Sequence, residues 1–217
     1  MSTPGTDTAR ARWFRSVNCD GWYGRALLLL CAALAALTAA GPRLGLLLRY
    51  DRTQLAAGQL WRLLSAHCVH MNVPHTAANI AATVLLWMLF ARDYRPRQWL
   101  LILAAAALGI DAGLWWLAPQ VQWYLGASGV LHGVWAAGAR AALARRDGFG
   151  ALLLLVLVVK LAAEQMHGTS LLLAGMPVVI EAHLYGTLAG LVAAQVIGSG
   201  SPGRWLAARR RRSGNPL

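Results

Sequence analysis

Ser128 stands in GASG between Gly126 and Gly129, and His132 follows one helical turn later. A serine hydroxyl is a poor nucleophile until a base takes its proton, and a histidine within hydrogen-bond reach is the usual base. His183, in AHLYGTLAG, is the candidate base. Gly186 and Gly190 follow it on the same helical stripe, and small residues there let a neighbouring backbone come close enough to bring His183 to Ser128. In HTAAN, His75 and Asn79 are four apart and share a helix face. Together with the backbone N–H of Ser128 they are the candidate donors to a developing oxyanion. The chemistry this set could do is acyl transfer or hydrolysis by a Ser/His dyad. No third-member acid is evident, because Glu181, two residues before His183, points about 200° around the helix from it.

Each of these residues also has a purely structural explanation. A serine in a transmembrane helix is commonly interhelical glue, and a glycine stripe is commonly a packing surface. Convergence on one site therefore depends on the elements that carry the residues. The chain has 217 residues, 58% hydrophobic and 13% charged, with apolar runs too long for a soluble core of this size. It reads as a polytopic all-α membrane protein, since exposed backbone in lipid excludes open sheet and the period-two alternation of an outer-membrane barrel is missing. Six spans are expected: Arg25 to Leu48, Cys68 to Phe90, Gln98 to Ala118, Ser128 to Leu143, Gly150 to Met166 and Val178 to Ile197. The first span lacks a clear cleavage site and is read as a retained helix rather than a signal peptide.

Counting along these helices sets a common depth. At about 1.5 Å per residue, His75 lies about 22 Å above Phe90, Ser128 about 25 Å above Arg145 and His183 about 21 Å above Ile197. Span four covers only about 24 Å, short of a hydrocarbon core of about 30 Å, so it must begin inside the membrane. Irregular backbone is tolerated there only in protein or beside water, and the loop Pro119 to Ala127 is expected to dip into a wet cavity. GASG then marks a buried helix N-terminus whose free N–H groups face that cavity.

The formal net charge is +12, and Lys160 is the only lysine among the 20 basic residues. Arg10, Arg12, Arg15 and Arg25 precede span one, Arg92, Arg95 and Arg97 follow span two, and Arg140, Arg145 and Arg146 follow span four. Arg204 and Arg209 to Arg212 lie beyond span six, and fewer arginines lie on the other side. The positive-inside bias puts both termini in the cytoplasm, which explains the charge without nucleic acid and by attraction to anionic lipid. The expected organisation is a cytoplasmic tail over 1–24, a six-helix membrane domain over 25–198 and a basic cytoplasmic tail over 199–217. Cys19, Cys31 and Cys68 have no CxxC spacing and indicate no disulfide framework.

The ordered motifs HxxxN at 75–79, GASG at 126–129 and AHxxGxxxG at 182–190, with Trp61-Arg62 and His70 upstream, resemble the rhomboid intramembrane serine proteases. The resemblance covers roughly Gln59 to Gly190. It implies a six-transmembrane-helix rhomboid-like bundle, Ser128 as nucleophile, His183 as general base, His75 and Asn79 in the oxyanion hole, and no metal or nucleotide cofactor. The strings WYLGASGVLHG, HMNVPHTAANI and VKLAAEQ are similar to the rhombosortase subfamily. That likeness implies a bacterial inner-membrane enzyme with its site toward the periplasm. Its substrate would be an exported protein with a C-terminal transmembrane tail of the GlyGly-CTERM type. Where many rhomboids have an aromatic packing on the catalytic histidine, this chain has His132.

Lys160 and Glu164 are expected to pair on one helix face, the alternative being recognition of a substrate tail at the cavity wall. Asp111 and Glu181 have no assigned role. A haem or metal protein ligated by His67, His70, His75, His132 or His183 is the main rival, although it has no use for the glycines around Ser128. An inactive protein of rhomboid fold and a transporter are further alternatives. The first runs against the complete polar set, the second against the lack of paired broken helices.

Overall fold

The computed structural model of the chain describes Phe14 and residues 17–169 and 178–198. The expected tail 199–217 and the arginines Arg10, Arg12 and Arg15 fall outside the described residues. The described helices are α1 (Gly21–Ala39), α2 (Pro42–Leu48), α3 (Arg52–Ala56), α4 (Arg62–Ser65), α5 (Val73–Phe90), α6 (Pro96–Trp116), α7 (Ser128–Ala144), α8 (Gly148–His167) and α9 (Ile180–Ile197). Five of them, α1, α5, α6, α8 and α9, are long and apolar enough to cross a membrane. The sixth of the bundle, α7, has 17 residues, and its Ala136, Ala137, Ala139 and Ala141 are fully buried. The chain is thus an all-α membrane bundle with its shortest long helix inside.

Two expectations change. The first apolar span does not run unbroken to Leu48. Gly41 takes a φ of +92°, and Pro42, which has no N–H to continue the helix, opens α2. The structure also contains a two-residue antiparallel pair, β1 (Tyr50–Asp51) with β2 (Trp123–Tyr124), in register Tyr50 to Tyr124. Helix alone left this out, yet the physical demand is the same one: backbone N–H and C=O groups away from water must find partners, and two loops can supply them to each other. Tyr50 and Tyr124 are both buried at this pair.

The connection between α1 and α5 is compact because Arg62 is buried within it, donating to the carbonyls of Leu46 and Arg49 and to Gln59 Oε1. Asp51 accepts from the Gln54 N–H and from Arg49. Burial would raise its pKa, but Arg49, the Gln54 N–H and Arg62 outweigh it and hold the carboxyl below the usual carboxylate range.

The bundle is tightest where α9 meets α7 and α6. A Cβ on Gly186 would strike the Gly129 carbonyl, and one on Gly190 would lie 2.5 Å from the Gly133 Cα. The two backbones touch where any side chain would hold them apart. On α6, Gly113 faces the Tyr185 ring and Gly109 faces Ala189 in the same manner. At the other extreme, α1 buries only Leu27 and Leu34.

Candidate active site

Three long helices begin at the same end of the bundle, and each places a polar residue within its first two turns: His75 and Asn79 on α5, Ser128 on α7 and His183 on α9. The start of α5 is fixed by Asn72, whose side chain accepts the His75 N–H at 2.9 Å, and by Pro74 in the first turn. The N-cap of α7, Ala127, supplies no side-chain hydrogen bond, so the helix start beside Ser128 is not closed by its own cap.

The loop into α7 is held from several sides. The Gly126 N–H donates to the Ala66 carbonyl at 2.9 Å, and the Tyr124 hydroxyl donates to the Gly126 carbonyl at 2.6 Å. The Ala127 N–H reaches His70 Nε2 at 3.4 Å. Gly126 itself has a φ of +123°, and a Cβ there would meet His75 Cε1 at 2.9 Å. Only glycine fits both the backbone and the imidazole beside it. Tyr124 and His70 were not expected as loop supports; their sequence signal is no more than proximity to GASG and HTAAN.

Ser128 Oγ and His183 Nε2 are 3.0 Å apart, within hydrogen-bond reach. The glycine contact of α7 with α9 is what permits this. His183 is 3% exposed and His132 8%, and their rings stack at 4.1 Å between centroids and 14° between planes. His132 Nδ1 donates to the Ser128 carbonyl at 2.7 Å, so this histidine both packs on His183 and acts as a polar group beside the serine. Asn79 donates to the His75 carbonyl at 2.9 Å, and its Oδ1 has no partner among the described residues. His75 meets His70 edge to face at 5.1 Å.

The absence of an acid for His183 is corrected. The carboxylate arrives not from the helix of His183 but from α8: Glu164 Oε2 is 2.8 Å from His183 Nδ1. Glu164 is fully buried, and Lys160 Nζ donates to its other oxygen at 2.6 Å. The expected Lys160–Glu164 pair is therefore present, and it extends to His183. Glu181 instead accepts from Gln120 at 3.3 Å at an exposed position. Asp111 lies 3.5 Å from His67.

His132, Glu164 and His183 lie close enough to suggest a metal site. The atoms of two of them are already committed, however, both His183 nitrogens to Ser128 and Glu164 and both Glu164 oxygens to His183 and Lys160, which leaves only His132 Nε2 without a partner among the described residues. Parallel stacked imidazoles also point their lone pairs side by side rather than at one centre, which suits neither a tetrahedral metal nor a haem.

A cavity of about 390 Å³ opens at this point. Asn79, Ser128, His132, Lys160 and His183 supply its polar lining, and the remainder is alanine, leucine and Trp135 from α5 and α7. A polarised hydroxyl at the edge of an apolar cavity is an arrangement for attacking a carbonyl carried on an apolar chain.

The sequence finds no match among curated proteins. It does match the rhomboid domain over residues 57–200, more than half of the chain and the stretch that contains α4 to α9 and the whole polar cluster. The chain belongs to the rhomboid family of intramembrane serine proteases.

Proposed function

We propose that the chain is an intramembrane serine endopeptidase in which Ser128 attacks a peptide carbonyl of a membrane-anchored substrate and His183 acts as general base and then general acid. The observation that carries this reading is the 3.0 Å contact between Ser128 Oγ and His183 Nε2 at a cavity lined largely by apolar residues. Proton transfer to His183 would generate the alkoxide, and the tetrahedral oxyanion would be met by the N–H of Ser128 with Asn79 and His75. On collapse, His183 would return its proton to the leaving amine, and water activated by the same imidazole would release the acyl group. The largely apolar lining supports a membrane substrate, whose helix must unwind at the scissile bond because helical carbonyls are already hydrogen-bonded.

The finer reading is that of a rhombosortase, cutting the C-terminal transmembrane tail of an exported protein at the periplasmic face of a bacterial inner membrane. Its support is the strings WYLGASGVLHG, HMNVPHTAANI and VKLAAEQ together with the arginine distribution. Incubation of the purified full chain in liposomes with a tailed substrate tests both levels. Cleavage abolished by Ser128→Ala is expected, and Ser128→Ala with full activity overturns the enzyme. Cleavage of other single-span proteins but not of a tailed one overturns the finer assignment alone.

A further inference from the structure

Nothing in that reaction requires a charged pair on α8, and burying one among membrane helices is costly compared with two leucines. We propose that Glu164 is a positioning residue for His183 and that Lys160 sets how strongly it acts, so that the hydroxyl is served by a Ser–His–Glu relay. The inference rests on the proteolytic reading above and deepens it.

The hydrogen bonds fix the direction of every proton. An ionised carboxylate only accepts, so His183 Nδ1 must carry the hydrogen that bridges the 2.8 Å to Glu164 Oε2. A neutral imidazole then has its lone pair on Nε2, which is the atom 3.0 Å from Ser128 Oγ. The Ser128 hydroxyl accordingly donates to Nε2, the polarity a general base requires. When the proton moves to Nε2, the imidazolium is stabilised by the carboxylate behind it without a second transfer. Lys160 Nζ, 2.6 Å from Oε1, offsets part of that negative charge and holds the carboxylate in its plane.

The charged and titratable groups around His183 are few. Glu164 and Lys160 face it from α8, His132 stacks on it from α7, and His75 of α5 lies within electrostatic range. Asp111 of α6 is turned to His67, and Glu181 on its own helix is turned to Gln120. Glu164 is thus the one carboxylate in contact with the ring among the described residues.

Glutamine at 164 should be worse than a mere loss of charge. Lys160 only donates, so it would hold the amide oxygen and turn the amide nitrogen toward His183 Nδ1. That forces the hydrogen onto Nε2, where it blocks acceptance from Ser128.

The test is the rate at which a fluorophosphonate labels Ser128 in the purified full chain, followed across pH. Glu164→Gln is expected to slow labelling by roughly 10²- to 10⁴-fold and to move the acid limb of the profile to lower pH. Glu164→Asp should recover part of the rate, and Lys160→Met should move the acid limb to higher pH by leaving the carboxylate unopposed. Labelling of Glu164→Gln within threefold of wild type with an unmoved acid limb would overturn the proposal. Should that variant fail to fold, Lys160→Met combined with Glu164→Gln removes both charges together. Labelling by the pair at the wild-type rate overturns the proposal, and slow labelling with the limb shifted down supports it. A wild-type chain that does not label overturns the serine-hydrolase reading and this one with it. A labelling wild type beside an equally labelling Glu164→Gln overturns only this one.

Discussion

His183 with Glu164 and His67 with Asp111 are the same two functional groups at similar burial: 3% and 0% exposed in the first pair, 7% and 4% in the second. Around His183 and Glu164 all four polar atoms have partners, and the chain of contacts ends on a hydroxyl at a cavity. Around His67 and Asp111 none of the four has a hydrogen bond among the described residues: the two side chains approach to 3.5 Å without hydrogen-bond geometry. Burial and residue type alone therefore do not separate the two pairs. What distinguishes it is a directed set of donors and acceptors, each contributing on the order of 1 kcal/mol or more when satisfied and costing more when left open.

The contrast can be broken most decisively at its chemical end. Ser128→Ala and His183→Ala should each lower cleavage of a transmembrane substrate by roughly 10⁴-fold or more. If His67→Gln did the same, the two pairs would not differ in the way described. Asn79→Ala, which deletes a candidate oxyanion donor and leaves the His183 pair intact, should cost roughly 10² to 10³ in turnover, read from initial rates at saturating substrate. Gly186→Ala probes the scaffold: the new methyl meets the Gly129 carbonyl, and thermal unfolding in detergent should report a loss of about 1–3 kcal/mol. The smallest effect is expected at Asp111→Asn. It swaps a carboxylate with no hydrogen bond among the described residues for a neutral amide, so stability should stay within about 1 kcal/mol and turnover within threefold.

The bundle was largely legible in the sequence because membrane helices are written in apolar run length, and the short fourth span was legible as a deficit of that length. Ser128, His75, Asn79 and His183 could be singled out because polar residues are rare at depth and counting along helices gives height. Glu164 was seen and its pairing with Lys160 anticipated, but its contact with His183 was not. Helical spacing gives rotation within one helix, whereas the rotation of α8 about its axis relative to α9 depends on how both pack. The break at Gly41 is a different case, a local Gly-Pro signal lying inside an otherwise apolar run, and the Tyr50–Tyr124 pairing joins loops that no local pattern links.

The backbone contact between Gly129 and Gly133 on one side and Gly186 and Gly190 on the other has a mechanical consequence. With no side chains between them to yield, α7 and α9 form a double rod, and the distance from hydroxyl to imidazole is as stiff as the rod. Any widening that admits a bulky chain must fall on α5 or α8. Displacing α5 carries Asn79 and His75 away from Ser128, and displacing α8 carries Glu164 away from His183. On the proposed reading, admission and reaction would draw on the same two walls, and a substrate that wedged them far apart would be cut slowly.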